Sequence, residues 1–430
     1  MKEKVAMMKS IGQIALLGFL LAGLSACSSN ASANLSYPIG GVWDVPVEEG
    51  EADWEAASVL AQEQHAGFSL ANEDIGFDAH TFGEGNQQDD VQTAVRSMVE
   101  GQAEGMSDPV AAILGATSNE ATTRTVALAN FFQVPMIVPS ASGDNLLSDT
   151  NLWAFQLSAS NSDYANNMLG TVLNKQIVNE GYEEGLEPEF RIAILYEQNT
   201  YGETAAVSTA TVALEQGYSI VLYDKFPAQD PSASRLRALV NMALDEDAHV
   251  VFMISSNPDV ALALTQTFTD LSSAAFRPLL VGMAAGYTSQ EFMDSDMLAS
   301  SYVLRQQIDT QSCPREINSL YAAQNYAAVN LLASAVKDVA NASKDEEKKI
   351  NFSLSLNSAE EKTALYREAL RDAIKVTDAE LPCLGRVAFN NGGQNKFLRF
   401  EIVTTEDGLQ KIIPSQDFVD LVKLKIDLTP

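Results

Sequence analysis

Positive charge is scarce in this 430-residue chain, where 27 Lys+Arg stand against 57 Asp+Glu for a formal net charge of −30. With no basic surface to neutralise phosphates, nucleic acid is not an expected partner. Docking on anionic lipid through basic residues is disfavoured for the same reason. Cysteine and histidine are scarcer still. Cys27, Cys313 and Cys383, with His65, His80 and His249, lie scattered with no metal-ligand spacing, which argues against a zinc enzyme. Also missing are a Gly-x-Gly-x-x-Gly after a strand, a P-loop, a His-Glu-x-x-His and a Gly-x-Ser-x-Gly elbow. The acids are too numerous to single out a catalytic pair, so no enzyme, cofactor or metal is expected. No repeat at solenoid periods is visible. What is present is ordinary globular material, 46% hydrophobic and 20% charged, in a chain too long for one core and therefore expected to form two or more lobes.

The apolar run that does stand out is at the start. Lys2, Lys4 and Lys9 precede Ile11 to Gly23, and Leu24-Ser25-Ala26-Cys27 follows. A basic start, a short apolar stretch and small residues before a cut describe a secretory signal over 1–26, and the run is short for a membrane span. Leu-Ser-Ala-Cys resembles the bacterial lipobox. That resemblance implies that Cys27 is lipidated and that 27–35, small and polar, tethers the lipid to the folded body. Ser28 after the lipidated Cys implies, in a diderm, sorting to the outer membrane; otherwise the chain sits extracytoplasmically on the cell membrane. With Cys27 set aside, Cys313 and Cys383 are an even pair in a disulfide-permissive compartment, and two separate buried thiols are the other reading.

Beyond the tether, strands alternate with helices. Pro109–Gly115, Val134–Pro139, Arg191–Gln198, His249–Ile254 and Pro278–Gly282 read as continuous apolar strands, with amphipathic helices between them. A helix is expected at Trp54–Asp74 and another at Tyr164–Asn179. Strands buried on both faces imply parallel sheets covered by helices, and two such series imply two doubly wound α/β lobes. The expected division is 36–157 plus 311–346 for the first lobe and 158–310 plus 347–430 for the second.

Open α/β sheets bind ligands at strand C-termini, and three polar stretches fall there. Gly115 to Asn119 ends one strand and opens a helix, offering Ser118, Asn119 and free N–H groups to a carboxylate; Thr117 and Glu120 also fit a plain capping box. Ser140 and Ser142 follow the Val134 strand, where a Ser-rich turn is the simpler reading. Tyr201 lies in Asn199 to Glu203, where Thr200 and Glu203 again match a capping box.

Taken together, the stretches VAAILGATSNEATTRTVALANFFQVPMIVPSAS, RIAILYEQNTYGE, YAAVNLLASAV, REALRDAI and GRVAFNNGGQN resemble the type I periplasmic binding proteins of the branched-chain amino-acid type. The resemblance implies two lobes joined by three hinge crossovers, near Leu157–Asn161 and Arg305–Gln311 among them, closing on a small-molecule ligand for delivery to ABC permease subunits. By position it implies ligand binding by Ser118, Asn119, Ser140, Ser142 and Tyr201. The chain departs from the family at Gly282–Tyr287, which has no carboxylate to meet a ligand ammonium, and at Ala327, where an Asp is usual after the Tyr. Asp163 is one candidate substitute. A small carboxylate or amide, or an apolar amino acid gripped mainly by the first lobe, is the expected ligand. The alternative is a sensory or ligand-independent interaction protein of the envelope on the same fold.

Overall fold

The computed structural model describes residues 39–42, 68–70, 73–75, 79–82, 88–102, 109–148, 150–183, 187–271, 278–283, 285–315, 317, 319–344 and 359–427. The leader, Cys27 and the tether lie outside them. Five parallel strands make the first sheet, in the spatial order Ala79–Phe82, Ile39–Val42, Ala112–Leu114, Met136–Val138, Ala154–Gln156. In the second, Ser219–Pro227, Arg191–Gln198, Val250–Ile254, Leu279–Met283 and Tyr302–Gln306 are parallel. Phe400–Glu406 and Leu409–Ile413 extend that sheet antiparallel. Each sheet carries an apolar cluster on both faces, which is why its strands read as unbroken hydrophobic runs.

The strand order reverses direction once in each sheet. In the first this happens between Ile39–Val42 and Ala112–Leu114, in the second between Arg191–Gln198 and Val250–Ile254. These switch points are where helices on opposite faces diverge and leave a crevice. Three segments connect the sheets: 157–160, 307–319 and 389–399. They are bonded to one another. Gln156 N–H donates to Gly393 O at 2.8 Å and Asn395 N–H to Gln156 O at 3.0 Å. The buried Gln306 Oε1 accepts from Ala159 N–H at 3.2 Å and from Gln324 Nε2 at 3.0 Å.

Several expectations need correction. Within Trp54–Asp74, the described part is extended rather than helical: Phe68–Leu70 pairs antiparallel with Glu73–Ile75. The helix expected at Tyr164–Asn179 is three pieces, Asn161–Ala165, a π-helical Asn166–Val172, and Lys175–Val178. Asn174 breaks it, because its Nδ2 donates to Gly170 O while its Oδ1 caps Gln176 N–H, a side chain competing with the backbone ladder. The second lobe does not own all of 347–430. Tyr366, Leu370, Ile374, Leu381, Val387 and Phe389 share the first lobe's core with Leu114, Phe155 and Tyr326, and Arg367 donates to Val99 O and Val110 O. Only the part from Phe400 onward joins the second sheet. Cys313 and Cys383 are joined in a disulfide across 70 residues of sequence, binding the second crossover to the Asp378–Leu381/Gly385–Ala388 hairpin.

Candidate functional site

At the switch point of the first sheet, the strand Ala112–Leu114 ends and the helix Asn119–Phe132 begins. Ser118 is its N-cap, accepting from Ala121 N–H at 3.2 Å. The cap is therefore one residue later than a Thr117–Glu120 box would put it. This leaves Asn119 in the first helical turn, with its side chain turned to the neighbouring loop. Its Oδ1 accepts from Ser142 N–H at 3.0 Å and Gly143 N–H at 2.9 Å, which fixes the amide's orientation. Asn119 Nδ2 then faces away from those donors, buried and without a partner, and the Ser140 hydroxyl is buried without one as well. Two uncompensated polar atoms at adjacent strand ends cost on the order of 1–3 kcal/mol each. They sit where the helix dipole already favours an acceptor.

The second-lobe rim is built differently. Asn199, not Thr200, caps the helix Thr200–Glu215 by accepting from Gly202 N–H at 2.7 Å. Glu197, the last residue but one of the strand Arg191–Gln198, has no solvent exposure. Its carboxylate accepts from Asn199 Nδ2 at 3.0 Å and Ser256 N–H at 2.8 Å, and Ser255 Oγ donates to it at 3.4 Å. It thus ties together the two strand ends that flank this lobe's crevice. Burial raises its pKa, only partly offset by those bonds. Glu197 could not be told from other acids in the sequence, although an acid ending an apolar strand run is an available signal.

The rims meet along one face of the second-lobe helix. Ser142 Oγ donates to Asn161 Oδ1 at 3.0 Å, and the Tyr201 phenol lies beside the Ser142 side chain. Asn161 Nδ2 donates to Thr204 Oγ1 at 3.1 Å. Asp144 Oδ1 accepts from Ser162 N–H at 2.6 Å, and its Oδ2 accepts from the Ser208 hydroxyl. Burial, with smaller effects of Tyr164 and Glu197, pushes the Tyr201 pKa up strongly, so the phenol is a neutral donor. Tyr164 is pushed up to about 12 by the same cause.

Of the residues expected from sequence, Ser142 and Tyr201 are brought together, and Asn119 and Ser140 lie at neighbouring strand ends beside them. Ser118 is spent as a cap. Asp163 is the reciprocal acid of a capping box, accepting from Ser160 N–H at 2.9 Å and Ser160 Oγ at 2.7 Å. Asp144, Asn161, Thr204 and Ser208 were missed. The spacing of 201, 204 and 208 on one helical face is the signal that could have found the last two. A shallow hollow lies elsewhere, beside the edge strand Ala154–Gln156, lined by Asn151, Leu152, Phe155, Lys375 and Asn390 among others. Among the described residues, no group of three or more acids, His or Cys could hold a metal, and no helix is long and apolar enough to cross a membrane.

Residues 55–408 match the profile described as the receptor family ligand binding region. No curated protein matches the chain. Solved structures do. A leucine binding protein from Thermotoga maritima superposes with a TM-score of 0.65 at 12% identity, over 88% of this chain and 98% of that one. A branched-chain amino acid transporter substrate binding protein from Streptococcus pneumoniae, in complex with isoleucine, gives 0.61 at 15%, over 88% and 99%. A solute binding protein of an ABC transporter from Rhodopseudomonas palustris, in complex with 3,4-dihydroxybenzoic acid, gives 0.60 at 15%, over 87% and 94%. At these identities the likeness establishes the fold.

Proposed function

The chain belongs to the receptor ligand-binding family, and from that premise we propose that it is an extracytoplasmic solute-binding lipoprotein. It captures a small amino-acid-like, carboxylate or amide ligand between its lobes for delivery to an ABC permease. The observation that carries this reading is the pair of buried, unpartnered polar atoms, Asn119 Nδ2 and Ser140 Oγ. They stand at the mouth of a helix N-terminus on the first sheet's switch point, and a carboxylate or amide oxygen is the group that would satisfy both. The grip lies on the first lobe, and the second lobe acts as a lid that brings Tyr201 over it. Lipidation at Cys27, removal of 1–26 and a tether over 27–35 supply the anchor, on the cell membrane or, in a diderm, the outer membrane. The ligand and partner chemistry involves no catalysis, cofactor or nucleic acid.

Titration calorimetry against a panel of amino acids, their amides and simple organic acids tests the reading. Binding by at least one class is the expected result, and no heat from any of them would reject it. One observation favours a second reading, a ligand-independent interaction protein of the envelope: the rims already bond each other directly, Ser142 to Asn161 and Ser208 to Asp144. Under that reading the panel stays silent, and the chain co-purifies with an envelope protein instead of with permease subunits.

A further inference from the structure

We infer that Ser142 and Asp144 on the first lobe, set against Asn161, Ser162 and Ser208 on the second, form a clasp through which the two lobes close on each other with no third molecule bridging them. This stands apart from the proposed function, because every bond in the clasp joins two groups of the chain itself.

The clasp has a regular construction. Residues 201, 204 and 208 recur at the spacing that stacks side chains on one helical face. Together they make a polar stripe about 10 Å long on the Thr200–Glu215 helix. Opposite it, the loop that follows the strand Met136–Val138 presents Ser142 and Asp144, and Asn161, at the start of the second lobe's Asn161–Ala165 helix, links Ser142 to Thr204 of the stripe. The clasp therefore begins beside the first crossover, at 157–160, and runs outward. Asp144 is its strongest point, because a carboxylate acceptor makes a bond about twice as strong as a neutral one. Both its oxygens are engaged by the facing lobe, one by Ser162 N–H next to the crossover and one by Ser208 farther out. Ser208 is buried, while Val207 and Thr211 on the same helix are exposed. The opposing groups thus pair donor with acceptor, and Ser142, Asn161 and Ser208 are all buried.

A consequence for any ligand is competition. A molecule that recruits the Ser142 hydroxyl must first displace it from Asn161, so the clasp holds a closed, self-satisfied arrangement in balance with an open one.

The test adds no ligand. Hydrogen–deuterium exchange would be followed in peptides covering 140–145 and 200–210, with small-angle X-ray scattering on the same full-length samples. Ser208→Ala removes the carboxylate's outer partner on the facing lobe while leaving the Asp144 bond to Ser162 beside the crossover. Ser208→Asp sets two carboxylates face to face. Asp144→Asn keeps a neutral acceptor. Relative to wild type, Ser208→Ala should raise exchange in both peptides about tenfold to a hundredfold, and Ser208→Asp should raise it further with an increased radius of gyration. Asp144→Asn should fall between wild type and Ser208→Ala. Thermal melts that stay cooperative separate opening from unfolding. Equal exchange and equal scattering in wild type, Ser208→Ala and Ser208→Asp would overturn the inference, as would wild-type scattering that fits separated lobes.

Discussion

At the rim of the first lobe, Asn119 Nδ2 and Ser140 Oγ are buried polar atoms with nothing to bond. At the matching rim of the second lobe, both oxygens of the buried Glu197 are held by Asn199, Ser255 and Ser256. The two crevices arise from the same reversal of strand order, yet only one is left chemically incomplete. The difference assigns labour: the satisfied rim is a rigid wall, and the unsatisfied one is where an added acceptor gains the most. The lobes also differ in assembly. They draw on different parts of the distal chain: the first lobe's core takes Tyr366 to Phe389, with the disulfide-bonded Cys383 among them, whereas the second lobe's sheet and core take Phe400 to Ile426.

That contrast can be broken most sharply at the disulfide. Cys383→Ser should cost about 4 kcal/mol, the loop-closure contribution for a bridge spanning 70 residues. The loss should appear in chemical denaturation as an early unfolding of the first lobe, with protection of the second sheet retained in hydrogen exchange. Simultaneous loss in both lobes would contradict the asymmetry.

The next largest effect is expected at the first rim. Asn119→Asp keeps acceptors for Ser142 N–H and Gly143 N–H but replaces the donor with a carboxylate oxygen. Affinity for a carboxylate ligand found in the calorimetric panel should fall by about 1.5–3 kcal/mol, while the melting temperature stays near wild type. Unaltered affinity would remove Asn119 from the grip.

The wall is probed by Gly202→Ala. A Cβ there would lie 2.2 Å from Glu197 O and 2.6 Å from Glu197 Cγ, so the helix start must shift. A stability loss of about 1–3 kcal/mol in urea is expected, because the second rim has no slack. A neutral outcome would mean that it is as yielding as the first.

The smallest effect concerns pH. His249, buried at the opposite end of the second sheet, accepts from Arg191 N–H through Nδ1 at 2.9 Å. Burial, and then the Arg191 charge, lowers its pKa from 6.5 to about 4. The folded state therefore binds its proton later than the unfolded chain does. The stability this gives is full above pH 6.5 and drains away as pH falls toward 4. The loss should be on the order of 1 kcal/mol once solvent screening is allowed for. Denaturation midpoints of wild type and His249→Gln measured from pH 7 to 4 should converge at the acid end, and parallel curves would exclude the histidine as the cause.

The sheets were legible in the sequence because strands buried on both faces write themselves as apolar runs; Arg191–Gln198 is read with its observed bounds. The helix caps were legible to within one residue, since Ser118 stands beside Thr117 and Asn199 beside Thr200, and any of the four can cap. Lobe membership after residue 347 was not legible. An amphipathic helix such as Ala359–Lys375 states that it has an apolar face without naming the sheet that face covers. The clasp was half hidden. The 201, 204, 208 spacing is visible, but Asp144 is one acid among many until folding places it opposite Ser208.

The three connections between the sheets are bonded to one another through Gln156 and Gln306, and Gln324 locks the second of them to the long helix Leu320–Lys344. Parallel straps that are free can shear, twist and bend separately; straps stitched where they leave the sheets share one axis. Relative motion of the halves is thereby reduced to a single swing, and the same stroke that lifts Ser208 from Asp144 must flex the glutamine stitches at its pivot.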